Sequence, residues 1–152
     1  MNLSKYFTLL ELTKSTNAIR LGISNEPNTI TLDKLEALCL NIGDPIREYF
    51  GKPVSVNSGF RSPELNAATK GSKTSQHMKG EAMDIEIIGV SNGDLAAWIY
   101  NNLEYDQLIL EFHHEDDPSS GWVHISYCEG KNRKQALITS NGKEYYEWSP
   151  TS

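Results

Sequence analysis

Two histidines and one aspartate have the types and the spacing that a bound metal ion needs. His77 and Asp84 are separated by a short stretch that contains Gly80, and His124 lies in a later apolar run, residues 122–126. Two imidazole nitrogens and one carboxylate oxygen are the donors of an open zinc site, in which the fourth position is left to water. The spacing alone leaves a second interpretation open, in which the histidines are ordinary surface or core residues and the aspartate is merely solvated.

The residues around these three predict strands that would hold them in place. Residues 82–88 are suited to a strand with Asp84 on one face and most of the apolar side chains on the other. Residues 122–127 are a second strand candidate, in which alternation places His124 on the face opposite its two apolar neighbours. Gly80 lets the chain turn sharply between His77 and Asp84.

The rest of the chain predicts further strands and several helices. The additional strands are residues 54–58, residues 107–112 and, at an edge of the sheet, residues 135–139. Helices are predicted to begin at the capping residues Thr8, Thr31, Ser62 and Ser91. Pro45 kinks or divides the helix that starts at Thr31, and residues 17–27 are predicted to form a loop. Together these elements predict an α+β fold for residues 1–152, a single domain with a mostly antiparallel central sheet and peripheral helices.

Charge and cysteine content exclude several classes of protein. The 152 residues carry a formal net charge of −6 and contain no basic run interleaved with aromatic residues, so we expect no nucleic-acid partner. Cys39 and Cys128 lie far apart and each has apolar neighbours, which predicts two buried free thiols. No apolar run approaches the roughly 18 residues of a membrane helix, so we expect no membrane insertion.

The first residues lack the basic, apolar and small-residue pattern of a signal peptide. We therefore expect synthesis in the cytoplasm, and any action outside the membrane would need a separate export or release route. We also expect a monomer.

Four segments, in order along the chain, resemble the motifs of the zinc D-Ala-D-Ala carboxypeptidase family. The segments are SGFRSP at 58–63, SQHMKGEAMD at 75–84, DQLILE at 106–111 and WVHIS at 122–126. The pattern SxHxxGxAxD is met at every fixed position, by Ser75, His77, Gly80, Ala82 and Asp84. The family includes peptidoglycan peptidases, D-Ala-D-Ala dipeptidases and bacteriophage endolysins, and it shares a metal-site fold with lysostaphin and the Hedgehog signalling domain. The resemblance covers roughly residues 50–130, with the core motifs at 54–127.

This resemblance implies a Hedgehog/DD-peptidase-like fold with one Zn²⁺ ion bound by His77, Asp84 and His124. It also implies hydrolysis of an amide bond in a peptidoglycan peptide. Arg61 matches the arginine of the family's SxxR motif, which is thought to bind the scissile carbonyl or the substrate carboxylate and to stabilise the charge that develops there. A guanidinium suits both roles because it is permanently charged and can make two parallel hydrogen bonds to a carboxylate.

The catalytic base is where the sequence departs from the family pattern. Many relatives carry an acid three residues before the last histidine ligand, and Gly121 occupies that position here. Glu111 is our replacement candidate, because it ends an apolar strand predicted to run beside the strand of His124. The following loop competes with it through the acids at 115–117 and through His113 and His114, either of which could also stabilise an oxyanion.

Two further residues could support the site. Ser75 could orient a ligand through a hydrogen bond, and Trp122 could line a substrate groove instead of packing in the core.

The sequence thus favours a zinc metallopeptidase that acts on peptidoglycan stem peptides or cross-links, such as a phage or prophage endolysin. One alternative is a cytoplasmic D-Ala-D-Ala dipeptidase, which would need a closed pocket. Another is a zinc-binding structural or interaction module without catalysis, an alternative that the missing acid at Gly121 keeps open.

Overall fold

Alternating apolar residues fold the chain into one mixed sheet. The computed structural model describes residues 1–150, within which six strands have the order β1-β2-β4-β3-β5-β6. Their bounds are β1 Ser55–Ser58, β2 Ala82–Glu86, β3 Gln107–Glu111, β4 Trp122–Ser126, β5 Gln135–Ile138 and β6 Tyr146–Glu147. Neighbouring strands are antiparallel except β3 and β5, which run parallel. The predicted α+β class and mostly antiparallel sheet are confirmed.

Helices flank the sheet. Within residues 1–150 they are α1 Leu9–Thr13, α2 Thr16–Leu21, α3 Thr29–Leu38, α4 Asp44–Phe50, α5 Pro63–Ala68 and α6 Asn92–Asn102. A π-helical segment, Cys39–Gly43, joins α3 to α4, and a 3₁₀ turn, Gln76–Lys79, precedes β2. No helix in this part of the chain is both long enough and apolar enough to cross a membrane.

The two faces of the central strands have different roles. Ile85 of β2 and Val123 and Ile125 of β4 are fully buried and belong to the hydrophobic core, which α6 covers by packing against β3 and β4. The alternate residues Asp84 and His124 therefore point to the opposite face, as predicted, where they line a cleft.

The first helix and those beginning after Ser62 and Ser91 form as predicted. Thr8 and Glu11 form a capping box, with Thr8 N–H donating to Glu11 Oε1 at 3.0 Å and Glu11 N–H donating to Thr8 Oγ1 at 3.2 Å. Ser62 and Ser91 accept hydrogen bonds from the first turns of α5 and α6. These N-terminal signals are local, which is why sequence alone finds them.

The prediction of a loop at 17–27 is wrong in its first part. Helix α2 occupies Thr16–Leu21 because Ser15 caps it by accepting a hydrogen bond from Ala18 N–H at 3.1 Å, and Gly22 ends it in the left-handed conformation. Six residues are too few to show a helical apolar stripe, and this made the segment resemble a loop.

The prediction that Thr31 caps the next helix is also wrong. Helix α3 starts two residues earlier, at Thr29, because Asn28 Oδ1 accepts the hydrogen bond from Thr31 N–H at 2.9 Å. Pro45 does not interrupt the helical backbone: it lies in the first turn of α4, directly after the π-helical segment, and Cys39, Gly43 and Asp44 all have right-handed helical conformations.

Strand β5 is not at an edge of the sheet. It pairs with β3 on one side and with β6 on the other. The pattern missed β6 because a strand of two residues is too short to show alternation. The prediction of two buried thiols holds for Cys39, whereas Cys128 is only half-buried; both cysteines are free.

Asp106, just before β3, ties three distant segments together. Its carboxylate accepts hydrogen bonds from Arg133 Nε at 2.9 Å and Arg133 Nη2 at 2.7 Å, and from Gln76 Nε2 at 2.8 Å. Only 3% of the Asp106 side chain is exposed. The hydrogen bonds from Arg133 lower the pKa of Asp106 to about 2, against the opposing effect of burial.

We predict that Asp106→Asn destabilises the protein in a pH-dependent way. Because the pKa of Asp106 is depressed to about 2 in the folded state, its contribution is complete above the unfolded pKa near 4 and is lost as pH falls through the folded pKa. Chemical denaturation at pH 7 is expected to show a loss of about 2 kcal/mol in the free energy of unfolding. The difference from wild type shrinks as the pH is lowered from 4 towards 2; a difference that stays constant over that range contradicts this account.

Candidate metal centre

The register of β2 and β4 brings two of the three proposed donors together. Asp84 and His124 are directly opposite each other in this antiparallel pair. His77 reaches the same point from the 3₁₀ turn, which Gly80 ends with a φ of 74°. A Cβ at residue 80 would lie 2.7 Å from the backbone oxygen of Thr31, so both the conformation and the space there favour glycine.

The donor atoms of these residues have a geometry that fits zinc. His77, Asp84 and His124 each offer one ligand atom, and these atoms lie within 4.8 Å of one another. Asp84 Oδ1 is 3.0 Å from His124 Nδ1 and 3.4 Å from His77 Nε2. Ligands at 2.0–2.1 Å from a tetrahedral zinc ion are roughly 3.3 Å apart, so only small movements are needed to hold the ion.

His77 is oriented by its backbone surroundings. The ring is buried, and Nδ1 lies 2.8 Å from the backbone oxygen of Gly59. With the proton on Nδ1, His77 donates to that oxygen and presents the Nε2 lone pair to the site. Fixing the tautomer through the second ring nitrogen is the usual way in which proteins orient a metal-binding histidine.

The carboxylate of Asp84 is kept ionised despite its location. Burial acts to raise the pKa of Asp84, but the adjacent imidazoles of His124 and His77 outweigh burial and hold the pKa well below its usual range. An ionised aspartate beside two imidazoles is the form that a divalent cation requires.

Arg61 and Ser75 lie next to the three donors. Ser75 Oγ accepts hydrogen bonds from Arg61 Nη2 at 3.3 Å and from His77 N–H at 3.2 Å, so it connects the guanidinium to the turn that carries His77. Burial lowers the pKa of Arg61, whereas the charge of Asp84 acts in the opposite direction. Arg61 Nε is buried without a hydrogen-bond partner, which leaves this side chain with unused donor capacity.

Glu111 faces the same cleft. It follows Gln107 and Ile109 in the alternation of β3, and all three side chains line the cavity together with the metal-donor residues. Burial raises the pKa of Glu111, and the charge of His124 opposes this effect. The hydroxyl of Tyr145 donates a long hydrogen bond, 3.4 Å, to Glu111 Oε2.

The backbone at Gly121 leaves no room for a side chain. Gly121 has a φ of 67°, and a Cβ added to it would overlap the backbone oxygen of Glu111. A glutamate at this position would therefore force β3 and β4 apart. Glu111, directly opposite Trp122 in the strand pair, brings its carboxylate to the cleft from the neighbouring strand instead.

The remaining predicted residues divide between two cavities. Trp122 lines the cleft, with its ring 5.2 Å from that of Phe112. His113 and His114 instead line a second cavity together with Glu115 and Asp116. His113 is buried, with Nδ1 at 3.1 Å from the backbone oxygen of Ser120. The structure thus does not bring the 113–116 segment into the cleft that holds the metal donors.

Three cleft residues were missed by sequence reasoning. Tyr145 lies in a polar and aromatic tail with no regular pattern, and Arg133 lies in an irregular loop. Gln76 stands beside His77, and this adjacency was the one signal that could have singled it out. The partners of all three are distant in sequence.

Fold and donor set together define the class of protein: an α+β domain with a two-histidine, one-aspartate metal centre in an open cleft of about 870 Å³. A family model described as Peptidase M15 matches residues 5–126, and the chain belongs to this family. The chain is also similar to the zinc D-Ala-D-Ala carboxypeptidase of Streptomyces albus G, with 39% identity over 56 residues. That match covers 37% of this chain and 19% of the relative, so it spans about a fifth of the relative's length. The predicted family is confirmed.

We predict that zinc stabilises the wild-type protein and not His124→Ala. At a free zinc concentration about 100 times the dissociation constant, the stabilisation is about 2.7 kcal/mol, which raises the melting temperature by about 5–10 °C. Thermal unfolding with zinc or with a chelator measures this shift. His114→Ala is the matched control, because His114 is exposed and lies outside the cleft. An undiminished zinc shift in His124→Ala would remove His124 from the ligand set.

Proposed function

We propose that this protein hydrolyses an amide bond in peptidoglycan stem peptides or cross-links. His77, Asp84 and His124 hold one zinc ion in this proposal, Glu111 is the general base, and Arg61 stabilises negative charge. The observation that carries it is that all five side chains line a single cleft, whose donor distances fit zinc.

Each part of the cleft has a defined task in amide hydrolysis. A zinc ion in the site supplies a Lewis acid that activates water and polarises the scissile carbonyl. Glu111 accepts the proton of the attacking water and passes it to the leaving amine. Burial raises the pKa of Glu111, the direction that suits a group that must both take and return a proton.

Arg61 binds the negative charge that the reaction creates. Its Nη2 is held by Ser75, and its half-buried guanidinium has no carboxylate partner within residues 1–150. It can therefore pair with the developing oxyanion or with a carboxylate of the substrate, and either interaction gains strength in a partly desolvated cleft.

Peptidoglycan as the substrate is supported by the name of the similar Streptomyces carboxypeptidase and by the shape of the site. A dipeptidase needs a pocket that closes around two residues, whereas the cleft here has a volume of about 870 Å³ and extends along the whole of β3. We also propose that the protein is a monomer and is made in the cytoplasm. In this proposal it acts on the cell wall after release by a separate route, as a phage or prophage endolysin does.

The alternative function, a zinc-binding module without catalysis, rests on the absence of an acid at Gly121. Because Glu111 lines the same cleft as the metal donors, the chain does not lack a carboxylate for the base. This weakens the alternative in favour of the hydrolase.

Incubation with purified peptidoglycan tests the proposal. We predict new amino termini, identified by mass spectrometry, that disappear with a chelator and return with zinc. Glu111→Gln is expected to lower the rate by about 10²–10⁴-fold, because general-base catalysis is lost, while zinc content is retained. Glu115→Gln is the matched control, since Glu115 is exposed and lies in the second cavity.

Three outcomes contradict specific parts of the proposal. Cleavage of free D-Ala-D-Ala alone identifies a dipeptidase, and zinc binding without any cleavage identifies the inactive module. Full activity of Glu111→Gln shows that another residue is the base.

We also predict that Tyr145→Phe slows catalysis, because it removes the hydrogen bond that orients the Glu111 carboxylate. Its hydroxyl is 3.4 Å from Glu111 Oε2, a long hydrogen bond on a partly exposed side chain, so the expected fall in kcat/KM is about threefold to tenfold. Tyr146→Phe is the control, because the Tyr146 hydroxyl donates to Glu144 instead. In the Glu111→Gln background the Tyr145 substitution is expected to have no further effect; an equal loss there assigns Tyr145 a role independent of Glu111.

A further inference from the structure

Four basic and four acidic side chains line the metal-binding cleft, and two of the basic ones, both lysines, form no salt bridge within residues 1–150. Its basic side chains are Arg61, Lys79, Lys131 and Arg133, in a protein with a net charge of −6. Of the acids that line it besides Asp84 and Glu111, Asp106 pairs with Arg133 at 2.7 Å and Glu81 pairs with Lys34 at 3.3 Å. Within residues 1–150, Lys79 and Lys131 form no salt bridge. The unpaired cations indicate an anionic ligand.

Strand β3 gives the distance between this charge and the metal centre. Ile109 pairs with His124, so the middle of β3 lies beside the metal donors. Asp106, which holds Arg133, precedes the strand by one residue. Three residues at a rise of about 3.3 Å separate the two points by about 10 Å, which is also the length of about three residues of extended peptide.

Arg133 is held rigidly in this position. Asp106 accepts hydrogen bonds from its backbone N–H at 2.9 Å and from Nε and Nη2, so Nη1 remains for a ligand. Asp106 also accepts from Gln76, the residue before His77, which joins Arg133 to the metal-binding turn. A guanidinium fixed in this way binds a carboxylate without losing side-chain freedom.

Lys131 lies two residues away in the same loop and is exposed. It borders the cleft and also a smaller neighbouring cavity that contains Glu129. A ligand in the cleft meets the second cation, Arg133, in the same loop.

We propose that Lys131 and Arg133 form a carboxylate-binding subsite, which recognises an acidic group of the peptide substrate about 10 Å from the scissile bond. This inference rests on the proposed function, since it assumes that a peptide lies in the cleft along β3. The subsite makes the peptidase selective for peptides with a free carboxylate at this distance, and amidation of that carboxylate weakens binding.

Two synthetic stem peptides provide the probe. Both have the sequence L-Ala-γ-D-Glu-L-Lys-D-Ala-D-Ala, and they differ only in a free or an amidated α-carboxyl group on the D-Glu residue. Calorimetric titration into zinc-loaded Glu111→Gln protein measures binding without turnover. We expect the acidic peptide to bind about tenfold more tightly than the amide, with a smaller preference at 0.5 M salt because exposed charges are then screened.

When Lys131→Gln is combined with Glu111→Gln, the ratio of the affinities for the acidic and the amidated peptide is expected to fall about threefold or more. Lys134→Gln is the matched control in the same loop, because Lys134 pairs with Glu104 and lies over the ring of Tyr105, away from the cleft. The control is expected to retain the full preference. Equal affinity for the two peptides, or a preference that Lys131→Gln leaves unchanged, overturns the subsite.

The outcome is separable from that of the proposed function. Cleavage of peptidoglycan by the wild type without a preference for the acidic peptide overturns the subsite alone. A preference that depends on Lys131, combined with no cleavage by the wild type, supports the subsite and overturns the hydrolase.

Discussion

The site depends on the direct opposition of Asp84 and His124 across β2 and β4. Side chains alternate between the faces of a strand, so a slip of one residue in this register would turn one donor into the core. The register is fixed from the other face, where Ile85, Val123 and Ile125 are fully buried. The metal centre is therefore positioned by the hydrophobic pattern of two strands, and His77 needs only the turn ended by Gly80 to complete it.

The same close pairing of strands determines where a carboxylate can enter the cleft. At Gly121, just before β4, the backbone lies so close to the end of β3 that no side chain fits, so this position cannot carry an acid. Glu111 is opposite Trp122, one residue along, and its side chain faces the cleft because β3 alternates in phase with Ile109. In this chain the carboxylate therefore reaches the cleft from β3, because steric crowding excludes a side chain at Gly121.

The features that could be predicted from the sequence are those that depend on neighbouring residues. The caps at Thr8, Ser62 and Ser91 and the face of His124 follow from short-range patterns, and the family motifs located the three donors. Short elements such as α2 and β6 lack enough residues for a periodic signal. Gln76 with Asp106, and Tyr145 with Glu111, are pairs separated by 30 and 34 residues. Their contacts depend on the complete sheet, which no local pattern describes.

The charged side chains of the cleft differ between the two ends of β3. Glu111 lies towards one end of β3 and the cations at 131 and 133 towards the other, while Asp84 is level with the middle of the strand, at Ile109. Arg133 is held in place there because Asp106, which is itself buried, accepts its hydrogen bonds. If Asp106 were absent, Arg133 would become a mobile surface side chain, and Gln76 would lose the partner that steadies the turn before His77. One buried carboxylate outside the metal site thus links the geometry of the metal centre to the charge that a substrate would meet along the cleft.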